Sequence, residues 1–99
     1  VNVPEQKVMA AILSVGGVHV ELFEALEDAS TIHWFIEKRG EGLHHLCYGV
    51  EYIEQVLRDM KTRDIRLLDE VPRIGASGKK IAFVHPKSMG GVLIELEEL

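Results

Sequence analysis

The chain has a single cysteine, Cys47, among its 99 residues, so an internal disulfide is excluded. That fits a reducing compartment, and a lone thiol between Leu46 and Tyr48 reads as a small buried apolar residue. Basic residues are also in short supply. Eleven Lys and Arg face sixteen Asp and Glu, a net charge of −5, which excludes nucleic acid as the main partner because phosphate backbones need a basic face. A local basic patch can still hold a small phosphate ligand. No apolar run approaches the ~20 residues of a membrane helix, so no membrane partner is expected. No charged-then-apolar leader opens the chain, so no targeting segment is expected and the cytoplasm is the expected compartment. What is present is ordinary for a globular protein: 46% apolar and 27% charged residues, enough for one domain with a modest core.

Val8–Val15 is apolar and predicts a strand, ended by Gly16-Gly17. Two glycines between apolar runs signal a hairpin, so residues 18–23 should return antiparallel. Ser30 can cap a short helix that places Ile32, Phe35 and Ile36 on one face, with Gly40 and Gly42 ending it. Trp34 and His33 ride on that helix, the first as packing and the second toward solvent. Residues 43–50 predict a strand. Residues 51–63 give the clearest helix, with Ile53, Val56, Leu57 and Met60 aligned. A short strand at 65–68, a loop at 72–78 and strands at 80–84 and 92–96 complete the chain.

An internal repeat runs through this order. Gly17-Val18-His19-Val20-Glu21-Leu22 matches Gly91-Val92-Leu93-Ile94-Glu95-Leu96, with glutamate at the same place in each. Upstream, Lys7-Val8-Met9-Ala10 resembles Lys80-Ile81-Ala82-Phe83 with one gap. The later copy has 49 residues from Gly42 to Gly91, whereas only 16 separate Val1 from Gly17. About 33 residues of the earlier copy are unaccounted for. The expected organisation is therefore a remnant of a first module plus linking helix over 1–41 and a complete second module over 42–99, together one domain.

Chemistry concentrates on two glutamates and a histidine pair. Glu21 and Glu95 sit mid-strand among apolar residues, where a carboxylate is costly to bury unless paired, protonated or bound to metal. Alternation puts Glu21 with His19 and Phe23, and Glu95 with Leu93, opposite Val92, Ile94 and Leu96. His44-His45 stands near the start of the third strand, and adjacent strand residues face opposite ways, so only one is expected to point into a shared cavity. Imidazole and carboxylates without thiolate suit Co²⁺, Mn²⁺, Ni²⁺ or Zn²⁺.

Pro4-Glu5-Gln6, the glutamate strand at 18–23, Gly40-Glu41-Gly42-Leu43-His44-His45, residues 75–80, His85-Pro86-Lys87-Ser88 and residues 91–96 follow in that order. Together they resemble the methylmalonyl-CoA epimerase family of vicinal-oxygen-chelate, or glyoxalase-like, proteins along nearly the whole chain. The resemblance implies an α+β fold of two βαβββ modules, one truncated here, whose curved sheets enclose a metal site. By motif the ligands carry over as Glu21, His45 and Glu95, and a further histidine belongs to the absent first strand. The implied reaction interconverts the (R) and (S) forms of methylmalonyl-CoA through a metal-stabilised enolate, with Glu95 and then Glu21 as carboxylate bases. Some relatives place a second glutamate where this chain has Ala10, which cannot move a proton.

Lys79, Lys80 and Lys87 are the expected contacts to the coenzyme A phosphates; the glycine-rich loop at 73–80 lacks the P-loop spacing. A homodimer is implied, and the mitochondrial matrix is the expected compartment in a eukaryote. Two other readings of the same fold stay open: a glyoxalase I-like lyase and a metal-free ligand-binding protein.

Overall fold

The computed structural model describes the backbone of Asn2–Val3 and residues 8–99, so Pro4-Glu5-Gln6 and Lys7 lie outside the described residues. The chain divides into two compact units, Val1–Leu43 and His44–Leu99.

In the first unit, β1 (Asn2–Val3), β2 (Val8–Val15) and β3 (Val18–Ala25) form an antiparallel sheet in that order. Val15 pairs with Val18 across Gly16-Gly17, whose φ values of +55° and +83° are the left-handed pair a two-residue hairpin turn requires. The register sets Ala10 opposite Phe23, Ile12 opposite Glu21 and Ser14 opposite His19, so these six share one face. Val8 and Ala10 are buried, whereas Ile12, Leu13, Val20 and Leu22 are exposed. The helix α1 (Thr31–Arg39) starts as expected: the Ser30 hydroxyl accepts from the Ile32 N–H at 3.2 Å. It stops at Gly40, which takes φ +74° and donates its N–H to the Ile36 carbonyl at 2.8 Å. Ile32 is buried, but Trp34 is 57% exposed and so does not serve as helix packing.

The second unit contains β4 (His45–Val50), α2 (Ile53–Thr62), β5 (Arg73–Ile74), β6 (Lys80–Val84), a 3-10 turn at Pro86–Ser88 and β7 (Leu93–Glu98). Its sheet runs β4-β7-β6-β5, with β4 and β7 parallel and the other pairs antiparallel. The strand expected at 65–68 shrinks to one bridge between Leu67 and Val84. Asp69 is the physical reason. Its carboxylate takes the Phe83 N–H at 2.9 Å, while the Leu68 and Asp69 N–H groups share the Phe83 carbonyl, so the ladder is interrupted. Pairing resumes in β5, inside the segment read as loop.

Alternation then sorts the sheet into two faces. Ala82 and Val84 of β6 and Ile94 and Leu96 of β7 pack with Ile53 and Leu57 of α2 to form the core. Burying a side chain such as Leu57, 2% exposed, stabilises the fold by about 1.5–3 kcal/mol. The register consequently groups His45, Cys47, Phe83, Leu93 and Glu95 on the other face.

Candidate metal and acid–base site

His45 opens β4 opposite Leu93, and Glu95 lies two residues further along β7, between Cys47 and Phe83. The two side chains are thus diagonal neighbours, and long side chains reach across that spacing. His45 Nε2 lies 3.1 Å from Glu95 Oε1, with the side chains only 16% and 17% exposed. Phe83 meets the His45 ring edge-on, at a centroid distance of 6.1 Å. The Arg73 guanidinium lies 5.4 Å from the centre of the Phe83 ring and 3.5 Å from the Asp69 carboxylate. This apolar wall and partial burial strengthen any charge interaction made by the pair.

The two histidines do not part company as alternation implies. His44 precedes the first residue of β4, so the pleat does not dictate its direction, and its Nδ1 comes within 2.9 Å of His45 Nδ1. A carboxylate only accepts hydrogen bonds. With a neutral ring, His45 therefore presents Nε2–H to Glu95, leaving Nδ1 to accept from His44.

The His45–Glu95 pair is chemically suited to a divalent cation. Ligand bonds near 2.1 Å at right angles put neighbouring donor atoms about 3.0 Å apart, close to the spacing seen here. Nitrogen and oxygen donors without thiolate match the ions expected. Among the described residues no group of three or more His, Cys, Asp and Glu side chains is gathered as a metal cluster. Two of the three expected ligands are together in the second unit.

Glu21, the third, lies on β3 of the first unit and is exposed, so the cost of burying a carboxylate does not apply to it. Ala10 is buried opposite Phe23 and has no group to titrate. Cys47 is exposed beside Glu95, correcting its reading as a buried residue: it faces away from the core that α2 covers.

The three lysines separate. Lys80 Nζ is 2.6 Å from Glu54 of α2, on the helix-covered side of the sheet and opposite to the His45 face. The Glu54 carboxylate raises the Lys80 pKa, and Lys80 in turn lowers that of Glu54. The pair is exposed, with both side chains at 44%, so it is a weak surface contact. Lys79 and Lys87 are exposed, with no ion pair among the described residues. His19 is exposed, and His33 Nδ1 stands 3.9 Å from the Asp28 carboxylate. Sequence reading missed His44 and Phe83 as neighbours of the site. The signal for Phe83 was its place opposite Glu95 once the final two strands are paired as a hairpin.

A model of the glyoxalase/bleomycin resistance protein/dioxygenase superfamily matches residues 1–83. The Bacillus subtilis protein YqjC is 44% identical, over 98% of this chain and 69% of its own length. The Cereibacter sphaeroides ethylmalonyl-CoA/methylmalonyl-CoA epimerase is 37% identical, over 97% of this chain and 73% of its own length. The human mitochondrial methylmalonyl-CoA epimerase is 40% identical over 99% of this chain, which spans 56% of that protein. A variant methylmalonyl-CoA epimerase from Streptomyces coelicolor, solved with 2-nitronate-propionyl-CoA, superposes with a TM-score of 0.83 at 32% identity, covering 96% of this chain and 70% of that one.

Proposed function

The chain belongs to the methylmalonyl-CoA epimerase family, within the glyoxalase-like superfamily, and on that premise we propose that it epimerises a 2-methylmalonyl or closely related coenzyme A thioester. The observation that carries the reading is the His45–Glu95 pair, half-buried on one sheet face in a chain of this family. The proton between a thioester and a carboxylate is weakly acidic, so the catalyst must remove it, stabilise the planar enolate and return a proton to the opposite face. Glu95 is the proposed base on one face. Its carboxylate takes the C2 proton and, on the reverse passage, gives it back. Glu21 is the proposed second acid–base group, supported by its repeat-equivalence to Glu95 and by Ala10 having nothing to offer. Lys79, Lys80 and Lys87 are the proposed partners of the coenzyme A phosphates; each is an exposed cation.

His45 and Glu95 are proposed to hold a divalent cation, Co²⁺, Mn²⁺, Ni²⁺ or Zn²⁺, and the family resemblance adds Glu21 to the proposed ligands. When bound, such an ion supplies Lewis-acid stabilisation of the charge that develops on the thioester oxygen. Glu95 would then serve as both ligand and base, and the 3.1 Å contact with His45 holds its orientation while the cation is absent. The assembly proposed is a homodimer, as the family resemblance implies, to be checked by light scattering. Among the described residues no helix is long and apolar enough to cross a membrane. The proposed compartment is the cytoplasm, or the mitochondrial matrix in a eukaryote.

The test is wash-in of deuterium at C2 of methylmalonyl-CoA, with and without chelator, by the full-length protein. Exchange abolished by chelator and restored by Co²⁺ is expected. Replacement E95Q should reduce exchange by about 10²–10⁴-fold. Absence of exchange by the native protein rejects the epimerase reading, and exchange indifferent to chelator rejects its metal component.

A further inference from the structure

We infer that His44 is a positioning residue: it holds the ring orientation of His45, so that Nε2 of His45 is the atom turned toward Glu95. The inference deepens the proposal above and rests on it for the cation, though not for the ring geometry. An isolated imidazole has two nitrogens and no strong preference for which carries the hydrogen; the bonds made at each decide. In His45 both are engaged. Nε2 lies 3.1 Å from Glu95 Oε1, and Nδ1 lies 2.9 Å from His44 Nδ1. The two imidazoles stand at 85° with centroids 5.1 Å apart, and Phe83 closes another side of the His45 ring at 74° and 6.1 Å. Rotating the His45 ring by half a turn about its bond to Cβ would break both polar contacts at once.

The donor logic explains why a histidine, rather than any bulky residue, suits position 44. Facing the acceptor-only carboxylate of Glu95, a neutral His45 carries Nε2–H, so its Nδ1 accepts and His44 Nδ1–H donates. If Nε2 is given to a cation, its proton departs to solvent and Nδ1 must carry the hydrogen instead. The Nδ1 proton of His44 then passes to His45 Nδ1, and His44 gains one from solvent at its own Nε2. One proton leaves and one arrives, so the pair stays neutral while both rings exchange tautomers. His44 can act as donor in the first state and acceptor in the second. Asparagine can do the same by turning its amide, and leucine can do neither. Second ring nitrogens of metal-bound histidines are almost always held in this way.

The test compares native protein with His44→Leu and His44→Asn. Long-range ¹⁵N–¹H correlation spectra of the metal-free proteins, at about pH 8 and so above the ordinary imidazole range, report the His45 tautomer. Native protein should show mainly Nε2–H, H44L a mixture because the unheld ring swings away from Glu95, and H44N a return to the native ratio. Calorimetric titration with Co²⁺ should show roughly 10–100-fold weaker binding in H44L and near-native binding in H44N. Circular dichroism checks the fold, and His44→Ala serves as the bond-deleting variant should H44L not fold. An unchanged His45 tautomer ratio without the His44 ring overturns the inference. If native protein takes up no Co²⁺, the metal component of the proposed function falls, while the tautomer comparison still decides the role of His44.

Discussion

Replacing Glu98 with alanine should detach the start of α2 from the sheet it covers. That helix begins without a cap of its own. Tyr52, at the capping position, takes φ +46° and makes no side-chain bond to the first turn. The Ile53 N–H is instead satisfied by Glu98 Oε2 of β7 at 3.1 Å, in a half-buried setting 45 residues away in sequence. Two effects are lost in E98A: a capping bond of about 0.5–2 kcal/mol and a negative charge at a helix N-terminus of about 0.3–1 kcal/mol. Because these overlap, a net loss of about 1–2 kcal/mol is expected. At roughly 4–8 °C per kcal/mol for a domain of this size, the midpoint should fall by about 4–16 °C. E98Q keeps a neutral acceptor and should lose about half as much. Urea and thermal unfolding followed by helical circular dichroism give both numbers. An E98A protein within about 0.3 kcal/mol of native would refute the claim that a distant strand residue caps this helix.

Further outcomes follow from the same packing. A Cβ at Gly75 would lie 2.9 Å from Cγ2 and 3.0 Å from Cδ1 of Ile81, which is 7% exposed and has no room to yield, so G75A should cost about 1–3 kcal/mol in unfolding free energy. G49A meets a closer atom, Leu99 Cδ2 at 2.5 Å, yet that side chain is exposed and free to turn aside, so a change within about 0.5 kcal/mol is expected in the same assay. L57A opens a cavity in the core and should cost about 2–5 kcal/mol. For the Lys80–Glu54 pair, Lys80 is raised from 10.5, so its contribution is complete below 10.5 and is lost as pH rises beyond; Glu54 is lowered from 4.5, so its contribution is complete above 4.5 and is lost as pH falls below. Unfolding of E54Q compared with native across this range should show a small difference at neutral pH that disappears at both extremes.

Much of the local structure was legible because it is dictated locally. The Gly16-Gly17 turn, the Ser30 cap, the Gly40 stop and the apolar face of α2 each depend on residues close in sequence, and each is found where the pattern puts it. The face carrying Glu95 was also legible, since Ile94 and Leu96 had to turn toward a core. The strand at 65–68 was misread because Asp69 competes for a backbone N–H fourteen residues away. No pattern of apolar residues records that competition.

At the site, residue types and strand alternation pointed to Glu95 and to one histidine of the His44-His45 pair, and the family resemblance chose His45. Their approach to 3.1 Å, however, depends on a parallel β4–β7 pairing between segments far apart in sequence, and only the assembled sheet sets that register. The same holds for the fates of two other residues. His44 joins His45 because the pleat starts one residue later, and Lys80 is drawn to Glu54 because α2 packs on its side of the sheet. Chain-local rules decide what a segment becomes and which way its side chains point; long-range packing decides which of those side chains finally meet.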